Sequence, residues 1–175
     1  MKDDTNAHLY ILDSFVCADF AALLHNRAEA AGIKTAYVSV DFAEGPAHAL
    51  NAFNTTDRGL VYIDCTGQGF QTPTSGGSLD GQDIYGEYDK VAYVVVGRAY
   101  GLIALDKAAS FDYGFYEQWM QQWADYKAKI DLYNQGSLTY KERQALRNEI
   151  EALRGILGDY HWEPLGIVTR VNIHW

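Results

Sequence analysis

Residues 47–65 read AHALNAFNTTDRGLVYIDC: two extended runs, roughly 47–54 and 59–65, flank the turn chemistry of Asn54-Thr55-Thr56-Asp57-Arg58-Gly59. Asparagine, threonine, aspartate and a closing glycine favour a tight reversal, so the segment is expected to fold as an antiparallel hairpin. Centred on Thr56, the hairpin sets His48 directly opposite Asp64 on one face, with Cβ atoms roughly 5 Å apart. At that separation a carboxylate accepts a hydrogen bond from one imidazole nitrogen and leaves the other for a further partner. A slip of one residue would put the two side chains on opposite faces.

Upstream, Lys34 to Phe42 alternates, with Ala36, Val38, Val40 and Phe42 on one face and Tyr37, Ser39 and Asp41 on the other, as in a half-buried strand. Before it, apolar residues recur at three- and four-residue spacing from Phe15 to Ala31, with Asp13 and Ser14 as N-caps and Gly32 as the stop. This predicts a helix over about 14–31 with Val16, Phe20, Leu23 and Arg27 or Ala28 on its buried stripe. Cys17 falls in the first turn, where unpaired backbone N–H groups and the helix dipole favour a thiolate. A lone cysteine is more often a small buried hydrophobe, and a lone strand histidine a satisfied polar group. Together, a thiol at a helix N-terminus and a cross-strand His–Asp pair point to nucleophilic acyl chemistry.

The segments CADFAALLHNRAEAAGIKTAYVSVDF (17–42), HALNAF (48–53) and GLVYIDCT (59–66) resemble the core of the transglutaminase-like superfamily of papain-fold thiol enzymes. In that family a cysteine opens a helix, a histidine begins a strand and an aspartate ends the next. The resemblance covers about Tyr10 to Thr66. It implies that Cys17 is the nucleophile, His48 the general base and acid, and Asp64 the residue that orients the imidazole. Where the family carries an aromatic residue beside the histidine, this chain has Ala49. For the oxyanion, the backbone N–H of Cys17 is one donor, and Asn6 or Tyr10 is a candidate for the second.

Further along, residues 66–90 hold six glycines with Pro73 and several serines and threonines, and are expected to be a long loop, either a substrate flap or a mobile solvent loop. Val91–Val96 and Tyr100–Leu105 read as a second hairpin about Gly97-Arg98-Ala99. Residues of about 113–159 read as a helical hairpin: Phe115, Trp119, Trp123, Tyr126, Ile130 and Tyr133 form one stripe, Gly136 marks the turn, and Thr139 with Glu142 makes a capping box. Leu146, Ile150, Leu153 and Leu157 form a second stripe, and the two stripes are expected to pack on each other. From Leu165 a last strand is expected, with Ile167, Thr169, Val171, Ile173 and Trp175 on one face.

The fold class expected is thus α+β, papain-like: a catalytic helix on an antiparallel sheet, then a helical hairpin and a final strand. One domain over residues 1–175 is expected, with its core at about 10–110, since 175 residues with 48% hydrophobic content fill one core. A net charge of −9 argues against nucleic acid. No apolar run reaches the ~20 residues that span a bilayer, and the opening MKDDTNAH lacks signal-peptide character, so the chain is expected to be cytoplasmic or the mature part of an exported protein. The histidines and cysteines lack metal-ligand spacing, so neither metal nor cofactor is expected, and two cysteines do not make a disulfide framework. The expected partner is a peptide or protein amide that is hydrolysed. Two alternatives stand beside this: acyl transfer that crosslinks proteins through glutamine, and a non-catalytic binding module keeping the fold.

Overall fold

The computed structural model describes residues 3–66 and 89–175, so the expected flap at 66–90 falls almost wholly outside the described residues. A single 3-10 turn at Thr5–Ala7 precedes helix α1 (Cys17–Ala30), strands β1 (Ala36–Phe42), β2 (His48–Thr55), β3 (Gly59–Asp64), β4 (Lys90–Tyr93) and β5 (Gly101–Ala104), helices α2 (Tyr113–Asn134) and α3 (Tyr140–Leu157), and strand β6 (Val168–His174). This is an α+β fold on one antiparallel sheet of order β5-β4-β3-β2-β1-β6.

The sheet curls until its two edges meet. Gly97 N–H donates to Val168 O at 2.8 Å, Val168 N–H to Arg98 O at 2.9 Å and Tyr100 N–H to Gly166 O at 2.8 Å, so the β4–β5 turn is bonded to the entry of β6. The concave face is filled by Val38, Val40, Leu50, Leu102, Tyr100 and Trp162. The convex face carries the helices. Phe20 and Leu24 of α1 pack on Phe53, Ile63 and Cys65, while Tyr116, Trp119 and Trp123 of α2 and Leu157 of α3 pack on Val91, Tyr93 and Ile103.

Three expectations change. Helix α1 starts at Cys17 rather than near residue 14, because Asp13 takes a left-handed conformation (φ 66°). Ile11 and Phe15 close a tight loop around it through paired backbone bonds of 2.9 and 2.8 Å. Val16 is the N-cap, and its N–H donates to the Asp19 carboxylate at 2.8 Å. The buried stripe is accordingly Phe20, Ala21, Leu24 and Ala28, with Leu23 and Arg27 half-exposed.

Second, β6 does not keep one alternation to its end. Phe42 pairs with Val168 but Asp41 with Arg170, so Thr169 is an extra residue, and this bulge reverses the inward parity. Val168 is buried and Ile167 exposed, while Val171 and Ile173 beyond the bulge face the core. Third, α2 and α3 pack on each other, yet the buried part of the aromatic stripe, Trp119 and Trp123 joined by Tyr116, is spent against the sheet.

The α2 packing needs Gly101. A Cβ there would lie inside the Tyr116 ring, which is itself stacked on Tyr93 with centroids 5.2 Å apart. Gly101→Ala is therefore expected to destabilise the chain by about 1–3 kcal/mol through overpacking. Urea unfolding monitored by tryptophan fluorescence checks this, and Gly114→Ala, where a Cβ meets open space, is the control.

Candidate active site

The hairpin fixes the centre of the site. In the observed register Asn51 pairs with Ile63 and Thr55 with Gly59, so the turn is centred on Asp57, one residue beyond the expected centre. Asp64 thereby comes to the level of Leu50, and His48 is its diagonal neighbour rather than its direct opposite. The shift amounts to two residues in pairing, so the two side chains keep one face. They are in contact: His48 Nε2 donates to Asp64 Oδ2 at 2.8 Å, and the two side chains are 2% and 0% exposed.

A buried carboxylate needs more than one donor. Tyr100 supplies a second to the same oxygen, its hydroxyl donating to Asp64 Oδ2 at 3.0 Å, and the Thr66 N–H donates to Oδ1 at 2.9 Å. Lys90 pairs with Asp64 across β3 and β4; its buried ammonium donates to Thr66 O at 2.8 Å. Burial alone would raise the Asp64 carboxyl, but the charge and hydrogen bond of His48, then Lys90 and Thr66, hold it well below the usual carboxylate range. Conversely, burial would lower His48, yet Asp64 first and Cys17 second raise it well above its usual value. The ring also meets the edge of Tyr100, with centroids 5.5 Å apart at 80°.

Cys17, at the start of α1, acts on the same imidazole. Because it is the first helical residue, its N–H is one that the helix provides with no carbonyl. Burial would raise this thiol, but hydrogen bonding and charge from His48, with the backbone at Ala49, outweigh burial and lower it. It is half-buried and unbridged. The other thiol, Cys65, is buried between α1 and the sheet, with its sulfur 3.6 Å from Phe20 O, and burial next to Asp64 pushes it far up. Environment thus separates the two thiols, lowering the half-buried Cys17 and raising the buried Cys65.

Of the two candidate oxyanion residues, Tyr10 reaches the site's surroundings. Its ring stacks on Phe20, and burial together with charge at Cys17 and Asp13 raises its phenol. Asn6 lies in the Thr5–Ala7 turn, and among the described residues no contact of Asn6 with Cys17 is found. Tyr37 of β1, read in the sequence only as a position on the strand's second face, is also influenced by Cys17: burial, then charge at Cys17 and Asp19, raises its phenol. Tyr100, Lys90 and Thr66 were likewise not singled out. The one available signal was a lysine opening the apolar run Lys90-Val91-Ala92-Tyr93, but its register with Asp64 joins residues far apart in sequence. Among the described residues no group of three or more His, Cys, Asp or Glu side chains is placed to hold a metal. Comparison with protein-family models, curated proteins and solved structures finds no match for this chain.

The pair's contribution to stability has a defined pH window. Asp64, held low, stabilises the fold above the ordinary carboxylate range and loses this as pH falls; His48, held high, stabilises below the ordinary imidazole range and loses this as pH rises through its raised value. Both contributions are full between about pH 4 and 6.5. Asp64→Asn is expected to lower stability by about 3–5 kcal/mol in that window, as when one partner of a buried pair is removed. The deficit should shrink toward alkaline pH. Urea unfolding across pH measures it, and a deficit independent of pH would rule out a charged pair.

Proposed function

We propose that this chain is a cysteine-dependent amide hydrolase with a papain-like, transglutaminase-core fold in a single domain. The reading is supported by one observation: a half-buried Cys17 at a helix N-terminus, its thiol lowered by hydrogen bonding and charge from His48, while Nε2 of that His48 is held by the buried Asp64. The order of the three residues and their resemblance to the transglutaminase-like superfamily support the same reading.

In the proposed reaction His48 takes the thiol proton and the Cys17 sulfur attacks the amide carbonyl carbon. The carbonyl oxygen becomes an oxyanion, stabilised by the Cys17 N–H, with Tyr10 or Asn6 as the candidate second donor. As the tetrahedral species collapses, the C–N bond breaks, His48 gives its proton to the departing amine, and a thioester remains on Cys17. Water then attacks the thioester while His48 removes its proton; the acid departs, and the proton returns to the Cys17 sulfur. An amine in place of that water would give acyl transfer with the same residues. Asp64 keeps the proton of neutral His48 on Nε2, leaving Nδ1 to serve the sulfur, and stabilises the imidazolium when it forms. The substrate class is a peptide or protein amide.

Alkylation by iodoacetamide tests the reading. Cys17 should be modified at about pH 6, where an ordinary thiol is almost unreactive, and Cys17→Ala should abolish labelling because Cys65 is buried. Labelling that rises only near pH ~8.5 would mark an unactivated thiol and favour a non-catalytic binding module.

A further inference from the structure

Tyr100 and Lys90 are buried titratable residues to which the reaction above gives no task. Tyr100 is 0% exposed and Lys90 3%. Tyr100 lies at the start of β5, yet its side chain reaches through the concave core to Asp64, while its own N–H donates to Gly166 O where the sheet edges meet. Its hydroxyl and His48 Nε2–H share a single acceptor, Oδ2 of Asp64, at 3.0 and 2.8 Å. Lys90 faces the same carboxylate from β4 and is anchored on Thr66 O. Each donor or cation added to a carboxylate lowers its basicity, and so weakens its hold on any other proton it shares.

We propose that Tyr100 and Lys90 are positioning residues that set how strongly Asp64 holds the His48 imidazolium, and so when that ring can release its proton. The inference rests on the reading of Cys17, His48 and Asp64 as one reacting site. General acid catalysis needs an imidazolium that gives its Nδ1 proton to the departing amine; a carboxylate whose charge fell on His48 alone would stabilise the imidazolium too strongly for it to release that proton. Sharing Oδ2 with a phenol, beside a cation, draws charge away from the ring. The phenol also fixes the carboxylate's rotation, with Thr66 N–H holding Oδ1 from the other side. Among the described residues the charged or titratable groups around this centre are Cys17 from α1, Lys90 at the start of β4 and Asp89 just before it, Cys65 after β3, and Asp3 of the N-terminal segment beyond Asp89. Among them Lys90 is the cation beside Asp64, and Tyr100 is the neutral donor that bonds it directly.

The experiment follows the His48 ring directly in the full chain by NMR titration of its Cε1–H, assigned by its loss in His48→Gln. Tyr100→Phe keeps the ring and removes only the hydroxyl. It should raise the His48 midpoint by about half a pH unit or more, and Lys90→Gln should do the same. Tyr113→Phe, which removes a hydroxyl bonded to Ala99 O, should leave the midpoint where it is. An unchanged or lowered midpoint in a folded Tyr100→Phe or Lys90→Gln chain overturns the proposal. If Tyr100→Phe loses its near-ultraviolet dichroism, Lys90→Gln decides alone. Failure of the functional reading is separable, because it shows in the wild-type alkylation profile whatever the His48 midpoint does in the variants.

Discussion

An ionised carboxylate with no exposure to water is the constraint around which the site is organised. Taking such a group out of water costs several kcal/mol, and the fold offsets that by converging on it. Among the described residues the groups around Asp64 come from different places in the chain: His48 from the start of β2, Thr66 from just past β3, Lys90 from the start of β4 and Tyr100 from the entry to β5. None is close enough in sequence to find Asp64 by local folding, Thr66 excepted. The site can form only once the sheet has assembled and curled, because Tyr100 is brought in by the same segment that bonds to Gly166 and Val168.

The same geometry explains why two thiols in one small chain differ so sharply. Cys65 follows Asp64 directly and alternates to the convex face, where α1 seals it against Phe20 and Leu24. Its neighbouring charge is a carboxylate, so both burial and electrostatics disfavour the thiolate. Cys17 stands where α1 begins, half open to solvent, and the group nearest to it is the imidazole that Asp64 keeps inclined to be positive. A single buried anion thus disfavours one thiolate directly, while the imidazole it keeps inclined to be positive favours the other.

Most of the individual strands and the helical hairpin were legible from local signals, such as the alternation in residues 36–42, the two extended runs within 47–65 and the Thr139–Glu142 box. The start of α1 was less so. Asp13 and Ser14 are good caps in isolation, but the left-handed turn at Asp13 consumes the segment, and Asp19 caps from inside the helix instead. The β6 bulge was invisible for a related reason: Thr169 carries no sign that β1 will leave it unpaired, because that depends on closure against residues 97–100, far away in sequence. Tyr100 and Lys90 were hidden by ordinariness, one a strand aromatic and the other a flanking charge, and only register across β3, β4 and β5 aims them at Asp64.

The hairpin itself shows what a sequence reading of a site has to get right. Its centre was displaced by one residue, which shifts every pairing by two, and His48 still met Asp64. Parity is what survives such a displacement. An even shift keeps both side chains on the concave face, where a diagonal separation remains within reach of an imidazole and a carboxylate, whereas an odd shift would have sent one of them beneath α1. The concave face supplies the phenol and the ammonium that make a buried carboxylate tolerable, and the convex face beneath α1 is lined by Phe20, Leu24, Phe53 and Ile63, where an unpaired carboxylate would stay neutral. Parity therefore decides whether Asp64 is charged at all, and with it whether His48 can be held for Cys17.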